Sequence, residues 1–196
     1  MKCYYLDIET DSHKTPDGDI DFAKSPIIAI TYQQIAPETG VAKSDKTTLK
    51  SWEATEEDIL KKFITIFNPF DKSQRWDFIP IGFNLTFDFV SLLYRWKSIG
   101  IPVSTVSIFR HPHLDIQPIV TMFNHGIFKG ASLENFAGKK GSGADIKALY
   151  DNQDYPAIES YIEDETACFL KLYQFIAKQL PILWQQSHFL EFSNKE

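Results

Sequence analysis

Two carboxylates interrupt the first β-prone stretch of the chain. Residues 4 to 10 read YYLDIET, which places Asp7 and Glu9 two positions apart. Side chains alternate between the faces of a strand, so both acids are expected on the face of Cys3 and Tyr5, about 7 Å apart. Two like charges so close repel each other, but they suit a divalent cation, because hard cations prefer oxygen ligands. For a single D-x-E pair, an exposed strand face is the more common explanation.

A third carboxylate follows a second apolar stretch, IGFNLTFDFVSLL, which begins at residue 81. The pattern predicts a buried strand that ends at Gly82 and Phe83, and then a helix that Asn84 caps. Asp88 is expected in the first helical turn, where the helix dipole alone would favour an acid. It lies beside the stripe of side chains that is predicted to face inwards, namely Phe87, Val90, Leu93 and Tyr94.

The last acidic motif, PAIESYIEDETACFLKLY, lies on a predicted helix from residue 155 to 178. At 100° per residue, one face carries Ile158, Ile162, Phe169, Leu172 and Ile176. Glu165 falls in the middle of that apolar face, whereas Asp164 lies towards its edge, and Glu159 and Glu163 are assigned to solvent. A carboxylate in a packed stripe needs a partner. Tyr161 is one turn earlier and close enough to Glu165 to act with it.

The elements that position these acids alternate between strand and helix. Strands are predicted at 2–9, 26–35, 41–50, 77–84 and 103–110, and helices at 55–68, 86–100, 115–125, 132–137 and 155–178. Loops are predicted at 11–25 and 138–145. This order indicates an α/β protein, with residues 1–196 forming a single domain.

Composition limits the compartment and the mode of binding. Two cysteines among 196 residues argue against a disulfide framework, and we expect a reducing, cytoplasmic location with no signal peptide and no membrane span. The formal net charge is −6. A protein that coats a polyphosphate by charge alone should be basic. Nucleic acid is therefore either not the ligand or is held locally, with metal ions supplying positive charge.

Together, and in this order, the motifs resemble the DEDD superfamily of 3′–5′ exonucleases, the DnaQ-like group with a ribonuclease H-like fold. LDIET matches the D-x-E motif of the first strand, and NLTFD at residues 84–88 matches the N-x-x-F-D motif. Tyr161 to Glu165 matches the Y-x-x-x-D motif of the tyrosine branch, except that its final acid is Glu. The segment GASLENFAG, 130–138, resembles the S-L-x-x-x-A stretch between the second and third motifs. The similarity is closest to the proofreading domains of family B DNA polymerases.

The resemblance implies a mixed central β-sheet flanked by helices and a two-metal site for Mg²⁺ or Mn²⁺. Asp7 would bridge two ions, with Glu9, Asp88 and Glu165 completing their shells, and Tyr161 would orient the attacking water. The products would be nucleoside 5′-monophosphates, released from the 3′ end of single-stranded DNA or RNA or from a frayed 3′ end. Asp164, with Ser160 in the place of the tyrosine, is the alternative fourth acid.

Substrate contacts are less well specified by the sequence. Phe83 and Phe87 are expected to flank the terminal base, and Asn84 to contact the sugar or the strand. The lysines near the glycine-bearing loop, Lys129, Lys139, Lys140 and Lys147, are assigned to plain surface in preference to phosphate contacts. For HPHLD, residues 111–115, packing or a supporting role is preferred to a separate zinc site.

Two other functions stay open at this point. The chain could be a catalytically weakened exonuclease-like domain that binds nucleic acid or a replication or repair protein partner, because Glu165 departs from the usual Asp. It could also keep the ribonuclease H-like fold and cut internally. The sequence leaves the oligomeric state undetermined.

Overall fold

A mixed five-stranded sheet forms the centre of the protein, in a computed structural model that describes residues 1–141 and 143–187. The strands are β1 (Cys3–Thr10), β2 (Ile27–Ile35), β3 (Thr47–Lys50), β4 (Ile79–Gly82) and β5 (Leu114–Asp115), in the order β3-β2-β1-β4-β5. β1, β2 and β3 pair antiparallel, whereas β4 is parallel to both β1 and β5. The carboxyl ends of β1, β4 and β5 therefore meet at one edge of the sheet.

Helices flank this sheet, as the sequence predicted. They are α1 (Glu56–Ile64), α2 (Leu85–Ser98), α3 (Thr105–Arg110), α4 (Gln117–Phe123), α5 (Leu133–Ala137), α6 (Gly143–Asp151) and α7 (Tyr155–Ser187), with a short 3-10 helix at Lys72–Gln74. Within the described ranges, none of the helices has both the length and the apolar character needed to cross a membrane.

The side chains of β1 divide between two apolar layers. Leu6 and Ile8 pack with α1 and α2, whereas Cys3 and Tyr5 pack with Phe169 and its neighbours on α7. This is the alternation expected for a strand that is buried on both faces. Asp7 and Glu9 therefore lie on the α7 side of the sheet.

Gly82 ends β4 where the backbone of β1 and the first residue of α2 both lie close to it. A Cβ atom built there would lie 2.7 Å from the carbonyl oxygen of Leu6 and 2.5 Å from Cδ2 of Leu85. Because both distances are far below van der Waals contact, only glycine fits at this position. The close approach places the first turn of α2 beside the carboxyl end of β1.

Several predicted elements are wrong or misplaced. Residues 103–110 were predicted as a strand, but Ser104 caps α3, its side chain accepting a hydrogen bond from the amide of Ser107. Residues 138–145 were predicted as a loop, but α6 begins at Gly143. The third strand covers only Thr47–Lys50, and α1 ends at Ile64, with Phe67 buried beyond its end.

The inward face of α2 also differs from the prediction. Tyr94 is 50% exposed, and Phe87 and Val90 are only partly buried. The buried apolar residues of the helix are Leu85, Phe89, Leu92, Leu93 and Trp96. The packed face is therefore centred on Phe89 and Leu92, and Asp88 is buried with it.

Candidate metal centre

Three elements bring the predicted acids together at the carboxyl edge of the sheet. Asp7 and Glu9 come from β1, Asp88 from the first turn of α2, and Glu165 from α7. One carboxylate oxygen from each of Asp7, Glu9 and Glu165 lies within 4.8 Å of the other two. Two oxygens that share one cation at about 2.0–2.6 Å are at most about 4–5 Å apart, so this trio has the spacing of a metal site.

Burial and mutual repulsion act on the cluster. Burial raises the pKa of Asp7, and the charge of Glu165 raises it further. The pKa values of Glu9 and Asp88 are also raised well above their usual range, first by burial and then by the charge of Asp7. Asp88 and Asp7 line the same cleft, and the charge of each disfavours ionisation of the other.

Three of these carboxylates have a buried oxygen without a hydrogen-bond partner in the described part of the chain, namely Oδ2 of Asp7, Oδ1 of Asp88 and Oε2 of Glu165. The last of these has the ammonium group of Lys139 at ion-pair distance, whereas the oxygens of Asp7 and Asp88 have no described cation beside them. Leaving a buried charged acceptor unpaired costs more than a hydrogen bond ordinarily gains. Hard divalent cations bind such oxygens, so the donor set fits Mg²⁺ or Mn²⁺ at this position.

Lys139 is a member of the site that sequence reasoning assigned to the surface. Its side chain is only 12% exposed, and its Nζ atom lies 2.7 Å from Oε2 of Glu165. The ammonium group also donates a hydrogen bond to the hydroxyl of Tyr161 and lies 4.4 Å from the centre of that ring. Its positive charge lowers the pKa values of Asp7 and Glu9, against the larger effect of burial. The only sequence signal was its place directly after the SLENFAG stretch.

Tyr161 keeps its proton in this environment. Burial raises the pKa of its hydroxyl far above the usual range, and the charges of Glu9 and Glu165 raise it further. The neutral hydroxyl faces the cleft, next to the carboxylates. It is therefore placed to donate a hydrogen bond to an oxygen in the site.

Asp164 has a different environment from Glu165. Oδ2 of Asp164 accepts a hydrogen bond of 2.9 Å from the backbone amide of Lys140, and the residue does not line the cleft. Asp164 thus anchors the segment after α5 to α7. Of the two adjacent acids, Glu165 has the position that a fourth ligand requires.

Asn84 does not cap α2, contrary to the prediction. Its backbone is in the left-handed region, with φ 62° and ψ 45°, and its side chain makes no capping bond. Asp115 at the end of β5 replaces it: the carboxylate accepts hydrogen bonds from the amides of Asn84, Leu85 and Gln117 at 2.9, 3.0 and 3.0 Å. One acid thereby holds the amino ends of both α2 and α4, and the exposed Asn84 side chain remains available to the cleft.

An open cleft of about 420 Å³ surrounds the carboxylates. Phe83, Asn84 and Phe87, the predicted substrate contacts, all line it. Phe22 lies against Phe87, with ring centroids 5.5 Å apart. A partly exposed aromatic pair beside charged groups suits the stacking of a nucleobase.

The remaining candidates have separate places. Lys147 lines the cleft and pairs with Asp11 at 2.6 Å, whereas Lys129 and Lys140 are exposed. In HPHLD, the buried Nε2 of His111 bonds to the carbonyl oxygen of Phe78 at 2.7 Å. Among the described residues, the acidic trio is the only group of three His, Cys, Asp or Glu side chains with metal-ligand spacing. HPHLD is therefore a supporting segment, as predicted.

Comparison with known proteins adds no assignment: no protein-family model and no curated protein matches the chain. Inference about function therefore depends on the geometry of the site.

Proposed function

We propose that the protein is a metal-dependent 3′–5′ exonuclease with a ribonuclease H-like fold, similar to the tyrosine branch of the DEDD superfamily. The observation that carries the proposal is the convergence of four carboxylates from β1, α2 and α7 on one cleft, three of which have a buried oxygen without a hydrogen-bond partner among the described residues. A structural role alone does not explain like charges gathered at such a cost, because burying unpaired carboxylates is strongly unfavourable.

In this proposal the carboxylates hold the ions and the other residues place the substrate. Asp7, Glu9, Asp88 and Glu165 would together hold two divalent ions. When bound, the ions would activate a water molecule and stabilise the leaving oxygen of an in-line displacement. The Tyr161 hydroxyl, whose pKa is raised by burial, would donate a hydrogen bond that orients the attacking water. The ammonium of Lys139 lies beside this hydroxyl, where it can stabilise negative charge on the phosphate.

The walls of the cleft support a single-stranded substrate. Phe83 and Phe87 offer aromatic faces to the terminal base, and stacking of this kind accepts any sequence. Asn84 has a free amide side chain at the same wall. Metal ions and Lys139 would supply the positive charge that the acidic chain otherwise lacks.

One contact favours the second function, a domain that binds nucleic acid or a replication or repair partner without cleaving. The ion pair between Lys139 and Glu165 occupies a carboxylate that a metal ion would need. If that pair persists when metal is present, the site is incomplete and catalysis is weak. The two functions therefore differ in whether divalent ions displace the ammonium group.

A cleavage assay separates the possibilities. Single-stranded DNA and RNA, each labelled at the 5′ end, are incubated with Mg²⁺ or Mn²⁺. A ladder that shortens from the 3′ end supports the exonuclease, internal cuts indicate an endonuclease, and binding without cleavage supports the second function. Asp7→Asn should abolish the ladder, whereas Asp45→Asn, at an exposed position, should leave it unchanged.

The fourth ligand is tested in the same assay. Glu165→Gln is expected to abolish cleavage, because its carboxylate is part of the acidic trio. Asp164→Asn is expected to retain most activity, because the Asp164 side chain bonds to the Lys140 amide and does not line the cleft. The opposite order of effects would assign the ligand to Asp164.

A further inference from the structure

A second pocket lies at the opposite end of the sheet from the carboxylate cleft. It has a volume of about 410 Å³ and is lined by Phe70, the 3-10 helix and α3. His111, which bonds to Phe78 just before β4, forms part of its wall. Because the four residues of β4 span about 13 Å, this pocket is separate from the cleft at the other end of that strand.

The pocket is basic on a chain that is acidic overall. Lys72, Arg75 and Arg110 line it, and within the described ranges none of them has a carboxylate within 4.0 Å of its charged group. Asp71 is the only acid in the lining. Its two carboxylate oxygens already accept hydrogen bonds from Ser73 and Gln74, within its own turn. The lining therefore carries a net positive charge, and its three cations have no acidic partner among the described residues.

One arginine that lines this pocket bonds to the backbone of α3. Nη2 of Arg75 donates a hydrogen bond of 3.2 Å to the backbone oxygen of Arg110, which orients the Arg75 guanidinium group. The guanidinium group also lies 5.6 Å from the ring of Trp76, whose side chain is 53% exposed. Positioned guanidinium groups beside an exposed aromatic ring are the usual elements of contacts to a nucleotide strand.

We propose that this basic pocket, defined by Lys72, Arg75, Ser107 and Arg110, binds a phosphate of a single-stranded nucleic acid, with a neighbouring base on Trp76. The contact lies outside the cleft and serves nucleotides upstream of the terminal one. The proposal extends the proposed function, because it adds a second strand contact to the catalytic cleft. It also explains why three cations that have no acidic partner in the described part of the chain gather on one face of a protein with a net charge of −6.

Binding is measured by fluorescence anisotropy of a labelled single-stranded oligonucleotide, in chelator and without divalent metal, over a range of salt concentrations. Arg75→Gln/Arg110→Gln should weaken binding about tenfold or more and reduce the salt slope by about 0.7, the value for one lost phosphate contact. The matched control is Lys43→Gln/Lys62→Gln, which removes the same charge from exposed positions elsewhere. Equal losses in both double variants would overturn the proposal.

A third variant tests the pocket without removing a basic residue. Ser107→Glu places an acid at the third position of α3, where the Ser104 cap favours it, so the helix should be stabilised. The same carboxylate should repel a phosphate in the pocket and weaken oligonucleotide binding. Unchanged binding would contradict the proposal. Inorganic phosphate and unlabelled oligonucleotide are then compared as competitors of the labelled strand. Equal competition per phosphate group would also overturn the assignment of the pocket to a nucleic-acid strand.

The outcome for the pocket can be distinguished from the outcome for the cleft. With metal present, the Arg75→Gln/Arg110→Gln variant should cleave a dinucleotide at the wild-type rate and a long strand more slowly, because only the long strand reaches the pocket. If even the wild type cleaves neither substrate, the proposed function fails. The anisotropy difference between the variants then still decides whether the pocket binds the strand.

Discussion

Replacing Asp7 by Asn removes one charge from the carboxylate cluster and keeps the size of the side chain. The clustered oxygens of Asp7, Glu9 and Glu165 lie within 4.8 Å of one another. Two unit charges at that separation repel by about 3.5 kcal/mol at an effective dielectric constant of about 20. Lys139, whose Nζ is 2.7 Å from Glu165, offsets part of this repulsion. We therefore expect Asp7→Asn to stabilise the metal-free protein by about 2 kcal/mol.

The effect of metal should have the opposite sign. Mg²⁺ at one hundred times its dissociation constant stabilises a protein that binds it by about 2.7 kcal/mol. Asp7→Asn lacks a carboxylate that the proposal assigns to the metal site and should gain little from the metal. The variant is then more stable than the wild type in chelator and less stable in saturating Mg²⁺.

Thermal unfolding, followed by circular dichroism in chelator and in Mg²⁺, measures this reversal. For a chain of this size, about 2 kcal/mol corresponds to a rise in Tm of about 4–8 °C. Asp45→Asn makes the same chemical change at an exposed position and should stay within about 0.5 kcal/mol of the wild type in both conditions. A lower Tm for Asp7→Asn in chelator, or an equal gain from Mg²⁺, would refute the reasoning.

Three further expectations follow from the same contacts. Lys139→Met should lower the Tm in chelator and enlarge the rise in Tm that Mg²⁺ produces, because the cation that offsets repulsion between the carboxylates is lost. An unchanged Tm in chelator would contradict this expectation. Asp115→Ala should lower the free energy of unfolding by about 1–2 kcal/mol, because the first turn of α2 loses its cap. The same variant should need more Mg²⁺ for half-maximal cleavage, and an unchanged Mg²⁺ requirement would count against this role of Asp115. The stabilisation by Asp7→Asn should vanish near pH 4 and grow as pH rises, because burial raises the pKa of Asp7 above its unfolded value; a pH-independent difference would be inconsistent with that shift.

The sequence predicted the parts of the site that depend on local periodicity. Alternation along β1 assigned Asp7 and Glu9 to the face of Cys3 and Tyr5, and the structure confirms it. The 100° projection assigned Glu165 to the packed face of α7, and that prediction is also confirmed, because its apolar neighbours on that face are buried. Both β1 and α7 have regular backbones, so the position of a residue along the element determines the direction in which its side chain points.

Features that depend on distant residues were not predictable in this way. The burial of Lys139 requires acids from β1 and α7, and a lysine next to glycine is ordinarily an exposed loop residue. The cap of α2 comes from Asp115, 31 residues from Asn84, so local capping rules chose the wrong residue. In α3, β-branched residues indicated a strand, but the Ser104 cap and the packing of Ile108 against the core favour a helix.

The most direct test of the metal centre is anomalous diffraction from crystals grown with Mn²⁺. We expect two Mn²⁺ peaks about 3.5–4 Å apart, one among Asp7, Glu9 and Glu165 and the other between Asp7 and Asp88. The ammonium group of Lys139 should then move away from Glu165. An absence of Mn²⁺ at these carboxylates, with the Lys139–Glu165 ion pair intact, would contradict the account.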